Sequence, residues 1–406
     1  RMIRAALTRP KTGPISLTER LDRWATHPLW GLVILAGILG LAFWLTYAVG
    51  SPLQELLDRY VVNSAATLVR TALAGGPAWL ADLLADGAIG GAGAMLTFLP
   101  ILVIFFAVMA ALEDVGYLAR AAYVMDRFMH LMGLHGKSFL PLFLGFGCNV
   151  PAVLGSRVIE SERARLLTIL LAPLVPCTAR MTVIAFLAPA FFGSAATVVS
   201  WGMIIMALVT LAVAGIVINR IFFQGERAAF IMELPLYHLP NWRTIALRVW
   251  QRSLSFVRKA GTLILAVSVV VWALSTLPGG DVETSFLARI GRVLEPVGQL
   301  MGFDWRLTVA LLTGFIAKEN SVATLGVLFG EAEGEGLAST LASTFSAPTA
   351  LAFLTVQMLF IPCVATIAVI RQETSWKWVF FDLAFLLGVS LVAGIAVYWT
   401  ALSLGL

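Results

Sequence analysis

Charged residues are scarce in this chain of 406 amino acids. Asp, Glu, Lys and Arg make up 13% of it, whereas hydrophobic residues make up 59% and the mean hydropathy is +0.90. A soluble domain carries roughly a quarter charged residues, so this composition excludes a soluble enzyme or binding domain. Several apolar runs reach the roughly 17–25 residues that a helix needs to cross lipid. We therefore expect an all-α, polytopic helical membrane protein.

Cysteine is also rare, with three residues, all in apolar surroundings. Disulfide frameworks use even numbers of cysteines in short secreted chains, and the closely spaced Cys pairs of structural zinc sites are absent. The pI of about 9.3 comes with no nucleic-acid-binding motif. We interpret the basic residues as cytoplasmic loops and expect no nucleic acid partner.

A complete nucleotide-binding motif is missing as well. "GLHGKS" at Gly133–Ser138 resembles the end of a P-loop, but the motif needs a glycine five residues before Gly136. That position is Leu131. We expect no GTP site and no enzymatic activity in this chain. Because the chain starts with Arg and shows no cleavable signal peptide, we also expect it to be a fragment or a processed form.

The apolar runs predict seven membrane spans and two interrupted segments. The interrupted segments are 138–155 and 306–329, which contain glycines or charges. If each enters the membrane and returns on the same side, 21 of the 28 Lys and Arg residues share one side. This is the positive-inside pattern, which predicts a cytoplasmic N-terminus. The predicted spans are 29–49, 93–112, 166–192, 195–219, 260–277, 348–369 and 379–402.

Two short motifs recur along the chain. "GFGCN" at Gly145–Asn149 returns as "GFIAKEN" at Gly314–Asn320, and "VPCTA" at Val175–Ala179 returns as "IPCVA" at Ile361–Ala365. Together with the topology, they predict two inverted-topology repeats, each with a re-entrant broken-helix hairpin, as in many secondary transporters. We divide the chain into a cytoplasmic basic segment (1–28), a first transmembrane helix with outer loop (29–92), a first Gate-like repeat (93–219), a cytoplasmic connector with an amphipathic helix (220–259) and a second Gate-like repeat (260–402).

The first hairpin combines helix breakers with a thiol and an amide. Non-helical backbone survives at membrane depth only where it is buried in protein or lines a watery cavity. We therefore expect Gly145, Gly147 and Pro151 to open the helix beside a polar path that Cys148 and Asn149 face. The alternative is a kinked packing helix that uses glycine for close approach.

The three cysteines fall at predicted breaks. Cys177 and Cys363 occupy equivalent Pro-Cys positions, so a pseudo-two-fold axis brings them towards one centre that Cys148 faces. Glu319 sits near the equivalent place in the second hairpin. Three thiols and a carboxylate suit a transition metal, and inert core cysteines are the alternative. The candidate metal residues are Cys148, Cys177, Cys363, Glu319 and Asn149.

Ionisable residues inside membrane spans mark function by default. Arg180 lies one turn beyond Cys177, and either it or Lys318 is expected to neutralise Glu319 when no cation is bound; a purely structural ion pair stays open. The basic, aromatic segment 242–259 predicts an interfacial helix on anionic lipid. The candidate gating or charge-balancing residues are Arg180, Lys318, Glu113 and Asp114.

Six longer motifs follow one another along the chain. They are "LEDVGYLARAAYVMDR", "GKSFLPLFLGFGCNVPA", "LLTILLAPLVPCTAR", "MELPLYHLP", "GFIAKE" and "PCVATIAVIRQETSWKW". With this ordered set, the chain from about residue 18 onward resembles the membrane region of ferrous iron transport protein B, FeoB. The resemblance implies Fe(II) uptake across the bacterial cytoplasmic membrane, with Gate regions related to those of nucleoside-type carriers. It also implies that the motif cysteines and the "AKE" glutamate (Cys148, Cys177, Cys363 and Glu319) are path or metal residues.

One departure from that family concerns nucleotide chemistry. Its members carry an N-terminal G-protein domain, which this sequence lacks, so the domain was removed or this is a short form. Active and facilitated transport both stay open.

The resemblance implies membrane lipid, ferrous iron, a G-protein domain and small accessory proteins as partners, and leaves a homo-oligomer open. Competing interpretations are a Zn(II) or Mn(II) permease, a nucleoside carrier, and a structural or receptor-like protein whose cysteines only pack.

Overall fold

The computed structural model describes residues 17–75, 77–222, 237–277, 284–330 and 335–405. Within these ranges all regular structure is helical, and no strand is present. Among the described residues, five helical stretches are long and apolar enough to cross a membrane, and two of them contain a short break. The prediction of an all-α polytopic membrane protein is therefore confirmed. Most of the predicted basic segment 1–28 and part of the connector 220–259 lie outside the described residues.

The chain begins with helices that precede the repeated part. The first predicted span, 29–49, is correctly placed but too short, because the helix that starts at Trp30 continues through Pro52. A π-helical turn then carries the helix on into the next one. These helices are α1 (Leu17–Ala25), α2 (Trp30–Leu57), α3 (Asn63–Ala72) and α4 (Ala78–Asp82).

The first repeated unit contains a long helix, a connector, a helix pair, a broken helix and another long helix. Its elements are α5 (Gly90–Asp114), α6 (Tyr117–Leu131), α7 (Gly136–Gly147), α8 (Asn149–Gly155), α9 (Glu162–Leu171), α10 (Thr178–Phe192) and α11 (Ala196–Phe222).

The second unit follows the amphipathic helix α12 (Trp242–Phe256) and has a similar order of elements with one additional helix, α17. The inverted-topology repeat itself stays a prediction. The elements are α13 (Thr262–Thr276), α14 (Phe286–Gln299), α15 (Trp305–Thr313), α16 (Asn320–Phe329), α17 (Glu335–Thr344), α18 (Ala347–Leu359), α19 (Val364–Glu373) and α20 (Trp376–Ser403).

The two interrupted segments fold back on themselves. α7 packs against α8, and α15 packs against α16. An ion pair of 2.8 Å between Lys137 and Glu160 joins the two ends of the first pair. In the second pair, the guanidinium of Arg306 lies 4.8 Å from the ring centre of Phe329. The chain therefore reverses at both breaks, as a hairpin requires.

Two predicted spans, 166–192 and 348–369, are not continuous helices. The first is broken at residues 175–177 and the second at residues 360–363. Pro176 and Pro362 lie in these breaks. Proline has no backbone N–H to donate, and inside a helix its ring clashes with the carbonyl group four residues earlier. Each unit thus holds two breaks, one in its hairpin and one in the following span.

Charged loops from distant parts of the chain meet at one end of the molecule, which we call the basic face. The buried Arg120 of α6 contacts Asp22 of α1 at 2.9 Å. Arg252, Val158 and Gln372 line one cavity, so the Arg252–Glu113 pair lies near the Arg157–Glu373 pair, whose residues are the sequence neighbours of Val158 and Gln372. The other contacts there are Glu113 with Arg252, the Asp114 carboxylate with the Asn241 amide, Lys137 with Glu160, and Arg157 with Glu373.

Candidate functional site

Hydrogen bonds join the two breaks inside each unit. In the first unit, the Thr178 hydroxyl donates to the Gly147 carbonyl oxygen at 2.8 Å. In the second unit, the Val364 amide donates to the Phe315 carbonyl oxygen at 3.0 Å. The non-helical segments are therefore held against one another at the same depth, and their free backbone groups partly satisfy each other.

A cavity of about 70 Å³ lies where the four breaks meet. Helices α5, α13 and the four breaks supply its wall. Seven of the nine candidate residues from the sequence line it, so predictions made on separate motifs converge on one space. They are Cys148, Asn149, Cys177, Arg180, Lys318, Glu319 and Cys363. We call this the central cavity.

The candidate ligands share a position relative to the helices. Cys148, Cys177, Cys363 and Glu319 are the N-cap residues of α8, α10, α19 and α16. Groups that can carry negative charge are stabilised at helix N-termini by the unpaired amides and the helix dipole. Four helices thus point their N-termini, the positive ends of their dipoles, towards one cavity. Each of these N-termini carries a thiol or a carboxylate.

The candidate ligands surround the space without forming a compact cluster. In the described part of the chain, no three His, Cys, Asp or Glu side chains are close enough to hold one metal ion together. Cys177 is buried, whereas Cys148 and Cys363 are half-buried, and the Cys363 sulfur lies 3.2 Å from the Thr366 hydroxyl. A single ion cannot contact the whole predicted set in this conformation.

Arg180 bonds to backbone rather than to a carboxylate. Its side chain is 1% exposed. One terminal nitrogen donates to the Pro173 carbonyl oxygen and the other to the Phe360 carbonyl oxygen, both at 2.5 Å. These carbonyls precede the Pro-Cys turns of the two units. A single guanidinium thus connects the two broken spans.

Lys318 is held in a similar way. Its ammonium donates to the Ile361 carbonyl oxygen at 2.6 Å and lies 5.1 Å from the ring centre of Phe360. No ion pair joins Glu319 to Arg180 or Lys318 among the described residues. In this conformation both cations are partnered by carbonyls at the end of α18, where a helix favours positive charge.

Asn149 takes part in the packing of the first hairpin. When its amide is oriented so that both the oxygen and the nitrogen have suitable partners, the nitrogen donates to the carbonyl oxygens of Gly145 and Ala172, at 3.2 Å each. The residue is 4% exposed. Its nitrogen therefore connects α7 to the turn after α9.

The helix breakers act differently from the sequence expectation. Gly145 and Gly147 lie inside α7, and Pro151 lies in the first turn of α8, where a proline is tolerated. The break is at Cys148, whose backbone is extended (φ −155°, ψ 135°). Gly147 instead gives room to a ring, because a Cβ there would lie 2.1 Å from Phe105.

Glu113 and Asp114 do not line the central cavity. Glu113 pairs with Arg248 at 3.4 Å and with Arg252 at 3.2 Å, on α12. The Asp114 carboxylate accepts a hydrogen bond of 2.8 Å from the backbone amide of Asn241, which caps the same helix. Both acids therefore anchor α12 at the basic face.

Two larger cavities flank the central one. An outer cavity of about 510 Å³ lies away from the basic face and carries Glu55 and Asp58 of the α2 end in its wall. Glu319 and Asn320 line both it and the central cavity. An inner cavity of about 380 Å³ lies between α8, α19 and α12, towards the basic face. The three cavities form a series through the molecule.

Sequence reasoning missed two residues that support these breaks. Gln357 is fully buried, and its amide nitrogen donates to the Lys318 carbonyl oxygen at 3.2 Å and to the Ser321 hydroxyl at 2.9 Å. Thr178 supports the first unit through Gly147. The available signals were a glutamine inside an otherwise apolar run and a threonine directly after a Pro-Cys pair.

Residues 95–191 and 257–377, more than half of the 406 residues, match the family described as Gate, nucleoside recognition. The chain belongs to the Gate family. Residues 200–252 also match the family described as ferrous iron transport protein B C terminus. The Gate match includes all four breaks, so the central cavity is built from the part of the chain that defines the family.

Curated relatives of this chain are named as ferrous iron transporters. The chain is 37% identical over 386 residues to "Fe(2+) transporter FeoB" of Methanocaldococcus jannaschii, covering 92% of this chain and 57% of the relative. It is 36% identical over 393 residues to the protein of that name from Staphylococcus aureus strain COL, covering 95% and 59%. The predicted resemblance to the membrane region of these transporters is confirmed. This Gate chain spans less than two thirds of the relatives' length.

Two further matches are a fusion protein and a solved structure. A Porphyromonas gingivalis protein named "Fe(2+) transport protein A/Fe(2+) transporter FeoB fusion protein" is 32% identical over 436 residues, covering 94% of this chain and 51% of the relative. A solved structure described as "CNTnw in an inward-facing substrate-bound state" covers 91% of this chain and 96% of its own. Its sequence is 17% identical to this chain, and the TM-score is 0.37.

Proposed function

We propose that this chain is the permease module of a ferrous iron transporter and moves Fe(II) into the cytoplasm. The observation that carries this proposal is the central cavity, which three cysteines and Glu319 line from four helix N-termini. The names of the curated relatives support iron as the cargo. Thiolate sulfur and carboxylate oxygen together suit a borderline transition metal such as Fe(II) better than magnesium or calcium.

The size of the cavity supports an ion over an organic solute. Sites for drug-sized molecules occupy about 300–1,000 Å³, whereas the central cavity measures about 70 Å³. That volume suits an ion with a few waters, since a water needs roughly 10–15 Å³ on this measure. The nucleoside carrier is therefore not favoured. Zn(II) and Mn(II) remain the competing substrates, because selectivity among divalent metals depends on ligand type and geometry.

The open arrangement of the ligands fits transport. An ion that must leave again is best held by few groups at a time, since conduction requires weak or successive sites. In our proposal, Fe(II) enters through the outer cavity, passes Glu319 and reaches the cysteines in turn. Glu55 and Asp58 in the outer wall would attract cations to that entrance.

The charges support an orientation in the membrane, and the relatives support a partner. We propose that the basic face is cytoplasmic, as the positive-inside rule requires, so the N-terminus is cytoplasmic in a multi-pass protein of the cytoplasmic membrane. Trp242 and Trp250 of α12 are exposed and suit the headgroup region of lipid. GTP hydrolysis would reside in a separate G-protein domain. The fusion relative supports a small accessory protein as a partner.

Flux measurements on the purified chain in proteoliposomes test this proposal. With an inward Fe(II) gradient under reducing conditions, we expect uptake that saturates and is absent from protein-free liposomes. Excess Zn(II) or Mn(II) should compete only weakly, and a nucleoside should not compete. Uptake indistinguishable from empty liposomes, or stronger uptake of another divalent metal, would contradict Fe(II) as the substrate.

A further inference from the structure

Two short helices connect the central cavity to the basic face. α8 begins beside Cys148 in the first unit, and α19 begins beside Cys363 in the second. The two helices pack against each other. Both therefore start at the candidate ligands and end at the face that we propose is cytoplasmic, one from each repeat.

The first residues of these helices separate two cavities. Val150 of α8 and Ala365 of α19 line the central cavity and also the inner cavity. Both are apolar and 7% exposed. A hydrated cation does not cross a dry apolar constriction readily, and channels use such constrictions as gates. In this conformation the two cavities are separate, and Val150 and Ala365 belong to the wall that they share.

The far ends of the same helices are joined by a two-pronged ion pair. The Arg157 Nε lies 2.9 and 3.0 Å from the two carboxylate oxygens of Glu373, and one terminal nitrogen lies 2.5 Å from the first of them. Glu373 is 7% exposed and Arg157 is 63% exposed. The guanidinium fork matches a carboxylate in this geometry. Val158 and Gln372, the adjacent residues, line the inner cavity.

The electrostatics of this end agree with a specific contact between the units. The hydrogen bonds and charge of Glu373 raise the pKa of Arg157 above its ordinary value. Arg252, which lines the inner cavity, is paired with Glu113 at 3.2 Å. Its positive charge, which would oppose a passing cation, is thereby partly offset.

We propose that α8 and α19 form the cytoplasmic gate of the cation path, with Val150 and Ala365 as its constriction. The Arg157–Glu373 pair is the clasp that keeps the gate closed. Opening separates the two helices at the basic face, withdraws the constriction and joins the central cavity to the inner one. This inference rests on the proposed function, of which it names the exit and the contact that controls it.

Removing the clasp tests its role in the closed state. Glu373→Gln should shift the gate towards the open state and raise Fe(II) flux by up to about fivefold, the most that a partly exposed ion pair usually contributes. The charge swap Arg157→Glu with Glu373→Arg should restore wild-type flux. Lys137→Gln is the matched control, since it removes an ion pair on the same face within one unit, and it should leave flux unchanged. A Glu373→Gln flux equal to wild type would overturn the clasp.

A reversible cross-link tests the gate directly. Arg157→Cys with Glu373→Cys, joined by a reducible bifunctional thiol reagent, should lose flux, and reduction should restore it. The control pair Lys137→Cys with Glu160→Cys, treated identically, should transport throughout, and treated wild-type chain monitors the native thiols. Full flux through the cross-linked 157–373 pair would overturn the gate. Absent flux in untreated wild type would instead count against the proposed function.

Discussion

The guanidinium of Arg180 lies 2.5 Å from the carbonyl oxygen of Phe360, although the two residues are 180 positions apart. The same side chain donates to the Pro173 carbonyl oxygen. Pro173 lies four residues before Cys177, and Phe360 lies three residues before Cys363. The contact explains how two broken spans present their cysteines to one cavity.

Replacing Arg180 should therefore weaken the fold itself. Arg180→Gln removes two charge-assisted hydrogen bonds, each worth about 1.5–3 kcal/mol when buried. We expect a loss of roughly 3 kcal/mol or more and a clear fall in the Tm of the detergent-solubilised protein. Arg157→Gln, at a largely exposed arginine, should lower the Tm much less. An unchanged Tm for Arg180→Gln would show that this bridge contributes little.

Gly147 offers a test of the first hairpin. A Cβ at this position would lie 2.1 Å from the ring of Phe105, which is 2% exposed and cannot move freely. Gly147→Ala should cost about 1–3 kcal/mol, as overpacking usually does, and this would appear as a lower Tm. Gly202→Ala is the matched control, because nothing lies within 4 Å of its Cβ. Equal Tm values for both variants would contradict this packing.

Glu319 should matter for transport more than for folding. Its carboxylate lines both the outer and the central cavity, and Glu319→Gln removes a charge that attracts a divalent ion. In a poorly screened site the Coulomb energy supports a loss of about tenfold or more in Fe(II) uptake. Glu295→Gln on α14, a carboxylate that lines none of the three cavities, should transport normally.

The double variant Glu319→Gln, Arg180→Gln separates two roles of the glutamate. If Glu319 served only to neutralise Arg180, removing both charges would restore uptake. Because Arg180 is already partnered by backbone carbonyls, we expect no recovery. Recovery of wild-type uptake by the double variant would show that the pair does form during transport. Normal uptake by Glu319→Gln alone would remove Glu319 from the path.

The orientation of the hairpins is open to labelling. Single cysteines placed in a cysteine-free background should react with an impermeant reagent from the cytoplasmic side in residues 157–165. Those in residues 331–347 should react from the outside, because the positive-inside rule fixes both. Labelling of residues 157–165 from outside would refute the predicted topology and the inverted repeat together.

Much of this arrangement could be predicted from the sequence. Low charge and long apolar runs predict helices, and Pro-Cys and Gly-rich motifs place the breaks near Cys148, Cys177 and Cys363. Recurring motifs then predict that these residues converge on one space. Each of these signals is a local or periodic pattern of residues, so it can be read from one sequence without a structure.

The partners of the buried cations could not be predicted in that way. Sequence reasoning pairs either Arg180 or Lys318 with Glu319, whereas in the structure both donate to carbonyls at the end of α18. Every residue has a carbonyl, so this kind of partner leaves no pattern in the sequence. The pairing of Arg157 with Glu373 was equally hidden, because it depends on how the two units pack.

The central claim is that the three thiols form the iron path, and Fe(II) uptake by the Cys148→Ser, Cys177→Ser, Cys363→Ser chain in proteoliposomes tests it most directly. Serine keeps the size of the side chain but removes the soft thiolate ligand. We predict that this variant folds with an unchanged elution profile and loses most Fe(II) uptake, with each single replacement intermediate. Normal Fe(II) uptake by the triple variant would contradict the account.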